Sequence, residues 1–334
     1  MGSTLSLQLN NNVITVINRY GTLFLFIFGI VGNLLSVYIF SRTHLRRSAC
    51  VLCLLLSSCF NILILIFGTL LRCLIGYNID LTYNSPVFCA IRYYVIYVSQ
   101  SASVWLIVLA CFDRYLSSSL NILRRRWMNI KRTYSITFCI LILSLLAYIE
   151  IFFCFAASVQ TQGECMIKDK SCSFVETISY LVLNSFLPSI LMLGFGTAML
   201  MNIKQSHQRT LNGLMNKIDR RDKQLIYMLL LQVASIVLCM FPLSIMKVYL
   251  SLTGSKMKSA NRIHREQFAY QVSVVISYIN PSGMFFLHTL HGKLFRVELF
   301  RLFHCLWQHD ERNRWKQQTL HIIRDHRIHP VNRF

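Results

Sequence analysis

Seven blocks of apolar residues dominate the chain, at roughly 20–41, 49–72, 87–111, 134–157, 174–203, 225–252 and 267–290. Each is long enough to cross a bilayer as a helix, and no other feature constrains the fold so strongly. Backbone inside lipid must satisfy its own hydrogen bonds, which leaves helices or closed barrels, and blocks of this length read as helices. Several exceed the minimum span, implying tilt or extension beyond the lipid. The third carries Arg92 and the fourth Glu150, which blurs their ends. Composition agrees. Of 334 residues 54% are hydrophobic and 14% charged, and mean hydropathy is +0.49, more apolar surface than a soluble domain of this size can hide. The expected fold class is an all-α membrane protein, a seven-transmembrane helix bundle.

Charge sets the expected orientation. With the N-terminus outside, the inside comprises "SRTHLRRS", the stretch from "DRY" through "RRRWMNIKR", the loop from Lys204 to Lys223, and the tail from Gly292. Those segments hold 24 of the 34 Lys and Arg, as the positive-inside rule demands. Attraction to anionic membrane lipids then accounts for most of the +21 net charge, and nucleic acid is not an expected partner. The expected divisions are an extracellular N-terminus over 1–19, a membrane domain over 20–291, and a basic cytoplasmic tail over 292–334. The start, "MGSTLSLQLN", lacks the basic opening and small-residue cleavage site of a signal peptide, so the first span is expected to direct its own insertion.

Cys50, Cys53, Cys59, Cys111, Cys139 and Cys239 lie inside spans and read as small packing residues. Cys89 opens the third span, while Cys165 and Cys172 sit in "GECMIKDKSCSF" between spans four and five. All three face the oxidising side, so a bridge is expected there. Cys89–Cys165 is favoured because Cys172 has less slack to reach the third span, with Cys172 as the alternative partner and Cys165–Cys172 also open. No CxxC pair or histidine cluster has metal-ligand spacing, and no cofactor is expected. Seven of the ten histidines lie from His288 onward, where a solvated or headgroup-facing role is expected.

Several landmarks occur in order. The first span carries Gly32-Asn33. The third runs from Cys89 to Asp113-Arg114-Tyr115, with 25 residues from Cys89 to Arg114. The fifth carries Pro188, the sixth "CMFP" up to Pro242, and the seventh "NPSGMF" from Asn280 and Pro281. "GKLFRVELFRLFHC" follows as a short amphipathic eighth helix. In these features the chain resembles a rhodopsin-like (class A) G-protein-coupled receptor over almost its whole length. The resemblance implies a plasma-membrane receptor that binds an extracellular ligand and activates a heterotrimeric G protein. It implies that Arg114 pairs with Asp113 at rest and releases on activation. It also places Asp222, 20 residues before Pro242, where an acid can bridge to that arginine. A guanidinium at the membrane edge is costly unpaired, so such a pair makes a two-state element. Departures from the family pattern are Asn61 for the usual Asp, the missing Trp of the fourth span, Met240 for the toggle Trp, Met284 for the Tyr of NPxxY, and Gly196 for a common Tyr. With Asn61 in place of Asp, and Ser103 and Asn280 as expected neighbours, a sodium ion loses its main attraction. In style the chain is most similar to divergent invertebrate receptors near the FMRFamide and other neuropeptide groups.

Two ligand classes are excluded against this background. Ile96 stands where an aminergic receptor needs Asp, and no lysine for a retinal Schiff base occurs between Gln267 and Leu290. Tyr93, Ile96, Tyr97 and Gln100 share one helical face, as do Met240, Ser244 and Lys247. With Arg92, Tyr180, Glu266 and Tyr270 these could line a cleft for a peptide ligand. Arg92 and Lys247 are expected to meet an acidic group, and Glu266 an amine or arginine. The chain has no HExxH, phosphate loop or GxSxG, so it is not expected to be an enzyme. The rival reading is a multispan transporter or channel, which calls for intramembrane charges on several helices or an internal repeat. Leu294, Phe295, Leu299, Leu302, Phe303 and Leu306 form the apolar stripe of the eighth helix, and Cys305 at its end is a candidate for palmitoylation. The expected outcome is a hydroxylamine-sensitive acyl label that disappears in Cys305→Ser; a label that persists in that variant excludes the site.

Overall fold

The computed structural model describes residues 12–42, 48–83, 85–119, 121–157, 165–211, 220–254, 257–291, 296–297 and 299–301. Seven long helices form the bundle. They are α1 (Asn12–Phe40), α2 (Ala49–Gly76), α3 (Pro86–Ser118), α4 (Ile130–Cys154), α5 (Lys170–Tyr180 continuing to Leu211), α6 (Arg220–Thr253) and α7 (Ala260–His291). Six of them are both long and apolar enough to cross a membrane. The seventh, α7, has 32 residues but mixes polar groups along its length. A short helix, Ile122–Trp127, lies between α3 and α4. Of the expected eighth helix only residues 296–297 and 299–301 are described, and they are helical. Cys305 lies outside the described residues.

Local chemistry explains the helix starts. Pro86 occupies the first turn of α3, where its missing N–H costs nothing, and the Ser85 hydroxyl accepts from Phe88 N. Asn129 caps α4 by accepting from Arg132 N at 2.9 Å. Widened π turns interrupt α2 at Leu65–Leu70 and α5 at Leu181–Phe186. Such turns disturb the helical ladder, and in each one a carbonyl takes a side chain from α3. Phe67 O accepts from Arg92 Nε at 3.2 Å, and Leu183 O from Trp105 Nε1 at 3.0 Å.

α3 is the axis of the bundle. In its most apolar stretch 83% of residues are buried, against 22% for α4, which stands at the periphery. Small residues let helices close up, as membrane packing favours. A Cβ added to Gly68 of α2 would come within 2.7 Å of the Tyr278 ring on α7, and one added to Gly32 of α1 within 2.6 Å of Phe285. Two apolar clusters fill the interior. One groups Leu54, Leu106, Ile107, Met192, Ile236 and Met284 towards the Arg114 end, and the other groups Tyr97, Tyr148, Ile151, Tyr180 and Tyr278 towards Cys89. The outer faces are equally apolar: Phe24 on α1 is 57% exposed and Leu143 on α4 64%. Surface of that kind has lipid as its solvent.

Beyond α4 the chain forms a two-stranded antiparallel hairpin, β1 (Phe155–Ala157) and β2 (Cys165–Ile167), with Ala157 opposite Cys165. The fourth span therefore ends at Cys154, short of the expected 157, because an apolar run of three residues suits strand as well as helix. A disulfide joins Cys89 of α3 to Cys165 of β2, with Cα atoms 5.6 Å apart. A second joins Cys154 to Cys172, 5.3 Å apart, so Cys172 closes α4 to the first turn of α5 and is not the partner of Cys89. In the loop-closure model the bridges, 76 and 18 residues apart, contribute about 4 and about 3 kcal/mol. Non-reducing peptide mapping should yield the 89–165 and 154–172 pairs. Cys89→Ser should lower surface expression more than Cys172→Ser, and free thiols at all four positions would contradict the arrangement.

Candidate functional site

The disulfide-bearing end of the bundle holds a buried charge cluster. Lys247 of α6 donates to Glu176 Oε1 at 2.5 Å and to Tyr97 Oη at 2.7 Å, and Tyr97 Oη itself donates to Glu176. The two charged side chains are 7% and 3% exposed. Lys247 Nζ also sits 4.9 Å from the Tyr180 ring centroid and 5.1 Å from that of Tyr97, a cation–π arrangement. One ion pair thereby ties α3, α5 and α6. Glu176 was not anticipated: it falls at the ragged edge of the fifth span. The signal for it was its spacing of four from Tyr180, which puts both on one helical face.

A cavity of about 110 Å³ lies beside this cluster. Among the expected residues it gathers Arg92, Tyr93, Ile96, Tyr97, Gln100, Tyr180, Lys247 and Tyr270, and it adds Arg72, Tyr278 and Gln271. Arg72 was passed over as the last residue of the second span. Met240 and Ser244 stand outside the lining, each already engaged: Gln100 Nε2 donates to Met240 Sδ at 3.0 Å and to Tyr180 Oη at 3.1 Å, and Ser244 pairs with Ser185 at 2.5 Å. Glu266 is not brought into the cavity either. Near the start of α7, just before its apolar stretch, it takes hydrogen bonds from Lys258, from Arg262 Nε at 2.9 Å and from Tyr249 Oη at 2.8 Å. Those donors, Lys258 first, hold its carboxyl down at about 2. It is therefore spent within its own loop.

Polar side chains thread the middle of the bundle. Asn61 Oδ1 accepts from Ser103 Oγ at 2.8 Å, and Ser103 Oγ lies 2.8 Å from Ser57 Oγ. Asn280 faces elsewhere, accepting from Ser235 Oγ at 3.3 Å. Of the two expected neighbours of Asn61, Ser103 is hydrogen-bonded to it and Asn280 is not. Asn33 Nδ2 spans from Gly29 O to Pro281 O, both at 2.8 Å, and pins α1 to the proline of α7.

At the opposite end Asp113 and Arg114 are 5% and 7% exposed. Arg114 Nη2 donates to Asp113 Oδ2 at 2.7 Å and to Ser48 Oγ at 3.1 Å, and Arg114 Nε to the same carboxylate at 3.1 Å. Ser48 precedes α2, so the arginine links α3 to its neighbour. The Tyr115 ring stacks at 5.9 Å on Phe195 of α5. The side chain of Asp222 lies outside the described residues.

With this geometry in place, the comparison with known families is direct. The family described as 7 transmembrane receptor (rhodopsin family) matches residues 32–282, and the chain belongs to it. It is a multi-pass membrane receptor of the G-protein-coupled class. No curated protein matches the chain.

Breaking a buried ion pair by removing one partner strands the other charge, at about 3–5 kcal/mol. Glu176→Gln and Lys247→Met should each destabilise the purified receptor by that order, read as a lower melting temperature. The double variant should lose less than the two losses combined. Strictly additive losses would mean that the two groups do not interact.

Proposed function

We propose that the protein is a receptor for an extracellular peptide of neuropeptide type, resident in the plasma membrane and coupled to a heterotrimeric G protein. In this reading the N-terminus (1–19) and the disulfides face outward, the seven-helix domain covers 20–291, and the basic tail (292–334) is cytoplasmic beside anionic lipid. The supporting observation is the pairing of two sites on one helix. α3 carries an aromatic, cationic cavity beside Tyr97 at one end and the buried Asp113–Arg114 pair at the other. Tyrosine-rich walls with a few charges suit a peptide side chain, and among the described residues no acid lines the cavity, Glu176 beside it being held by Lys247. The receptor itself catalyses nothing. Its work is to shift a conformational equilibrium by the difference in ligand affinity between two states.

A neuropeptide library applied to cells expressing the receptor with a promiscuous G protein tests the reading: at least one peptide should trigger nucleotide exchange. Arg114→Ala should keep surface expression and peptide binding while exchange falls to background. Asp222→Ala should raise basal exchange by roughly fivefold, the effect of losing a tether of about 1 kcal/mol. Full signalling by Arg114→Ala, or solute uptake by expressing cells without any exchange, would overturn it.

A further inference from the structure

Two cations lining the cavity meet no acid among the described residues. Arg72 Nε donates to Asn18 Oδ1 at 3.0 Å, while its Nη2 is fully buried and finds no hydrogen-bond partner among the described residues. Arg92 is 5% exposed, donates through Nε to Phe67 O and lies 5.7 Å from the Tyr93 ring centroid. The ion pairs among the described residues join Arg114 to Asp113, Lys247 to Glu176, and Lys258 and Arg262 to Glu266. None reaches Arg72 or Arg92, although the two guanidinium groups line the same cavity. Like charges held together away from water are costly until an anion enters between them. Lys247, expected from sequence to meet an acidic ligand, is already neutralised by Glu176. The unmet positive charge therefore sits across the cavity, on α2 and α3.

We propose that Arg72 and Arg92 form an anion subsite that anchors one carboxylate of the ligand, either an acidic side chain or a free C-terminus. The inference rests on the receptor reading above and deepens it. A guanidinium presents a planar fork of donors that matches a carboxylate with two parallel hydrogen bonds, and two such groups give the site its selectivity for that anion. At about 110 Å³ the cavity is well below the roughly 300–1,000 Å³ of a pocket that takes a whole small ligand, so it suits the tip of one residue and not a whole peptide. Tyr93, Tyr270 and Tyr278 around the cavity shield the ion pair from water, so each hydrogen bond to the carboxylate counts for more than at a surface.

The test uses the full-length receptor with its disulfides intact, in lipid nanodiscs at constant ionic strength, and reads its melting temperature. Three probes separate the sources of the carboxylate. N-acetyl-glutamate amide carries the side-chain acid alone, N-acetyl-glutamine the terminal acid alone, and N-acetyl-glutamine amide neither. One or both acids should raise the melting temperature while the neutral amide does not, and the effective acid identifies the source. Arg72→Gln and Arg92→Gln should each weaken that binding roughly ten- to hundredfold in Kd. Arg72→Lys and Arg92→Lys, which keep the charge, should lose less and show that the position tolerates substitution. An equal shift with all three probes, a shift that survives both Gln substitutions, or no shift with either acid would overturn the subsite. So would a shift seen only in Glu164→Gln, since the acid next to Cys165 would then be the occupant. A peptide response unchanged in Arg72→Gln and Arg92→Gln removes the subsite and leaves the receptor reading intact. Failure of every peptide to elicit a response, with the acid-dependent shift present, removes the peptide-receptor reading and leaves the subsite.

Discussion

The contact between Lys247 and Glu176 organises the disulfide-bearing end of the molecule. Both groups lie within helices that cross lipid, where an isolated charge is prohibitively costly and must find a partner. Tyr97 completes their coordination by accepting from the ammonium and donating to the carboxylate. The rings of Tyr97 and Tyr180 cover the cation. Because the partners stand on α5 and α6 and the phenol on α3, satisfying one charge fixes the spacing of three helices. The same pairing neutralises Glu176, and the cavity lining among the described residues is left with Arg72 and Arg92 as its unpaired charges.

α3 connects this cluster to the other end. It is the most buried of the six apolar spans, and the π turns of α2 and α5 offer it acceptors, Phe67 O for Arg92 and Leu183 O for Trp105. The Cys89–Cys165 bridge tethers its start to the hairpin, and the Cys154–Cys172 bridge joins its flanking helices α4 and α5. Its far end holds Asp113 and Arg114 against Ser48.

The bundle was legible in the sequence because lipid makes a blunt demand: a span must be long and apolar, and composition alone reveals it. Ordered landmarks such as Cys89, Asp113-Arg114 and Asn280-Pro281 supplied the family. The site was legible only in part. Tyr93, Tyr97 and Gln100 were found because helical spacing puts them on one face. Arg72 and Glu176 were missed because charges at the ends of apolar blocks look like boundary residues, and only the tertiary arrangement turns them inward. Glu266 failed as a pocket residue for the converse reason. Its partners Tyr249, Lys258 and Arg262 come together through the turn between α6 and α7, which periodicity does not reveal. Cys154 was absorbed into an apolar run, and the bridge that it makes depends on the helix stopping there.

α6 is then the element free to respond. Pro242 interrupts its hydrogen-bond ladder about two-thirds of the way along, where a proline weakens a helix and lets its two parts reorient. On one side of that proline Lys247 holds it to α3 and α5, beside the cavity. On the other side lies Asp222, towards the end that carries Arg114. In the proposed reading a ligand entering next to Lys247 disturbs that attachment, and the proline lets the two parts of the helix move differently. The direct measurement is the distance distribution between spin labels on genetically encoded residues at Gln224 of α6 and Ser48, just ahead of α2, in nanodiscs, with and without an activating peptide. The bundle described here predicts a distribution that shifts to longer distance when the peptide binds. An unchanged distribution at saturating peptide would contradict it.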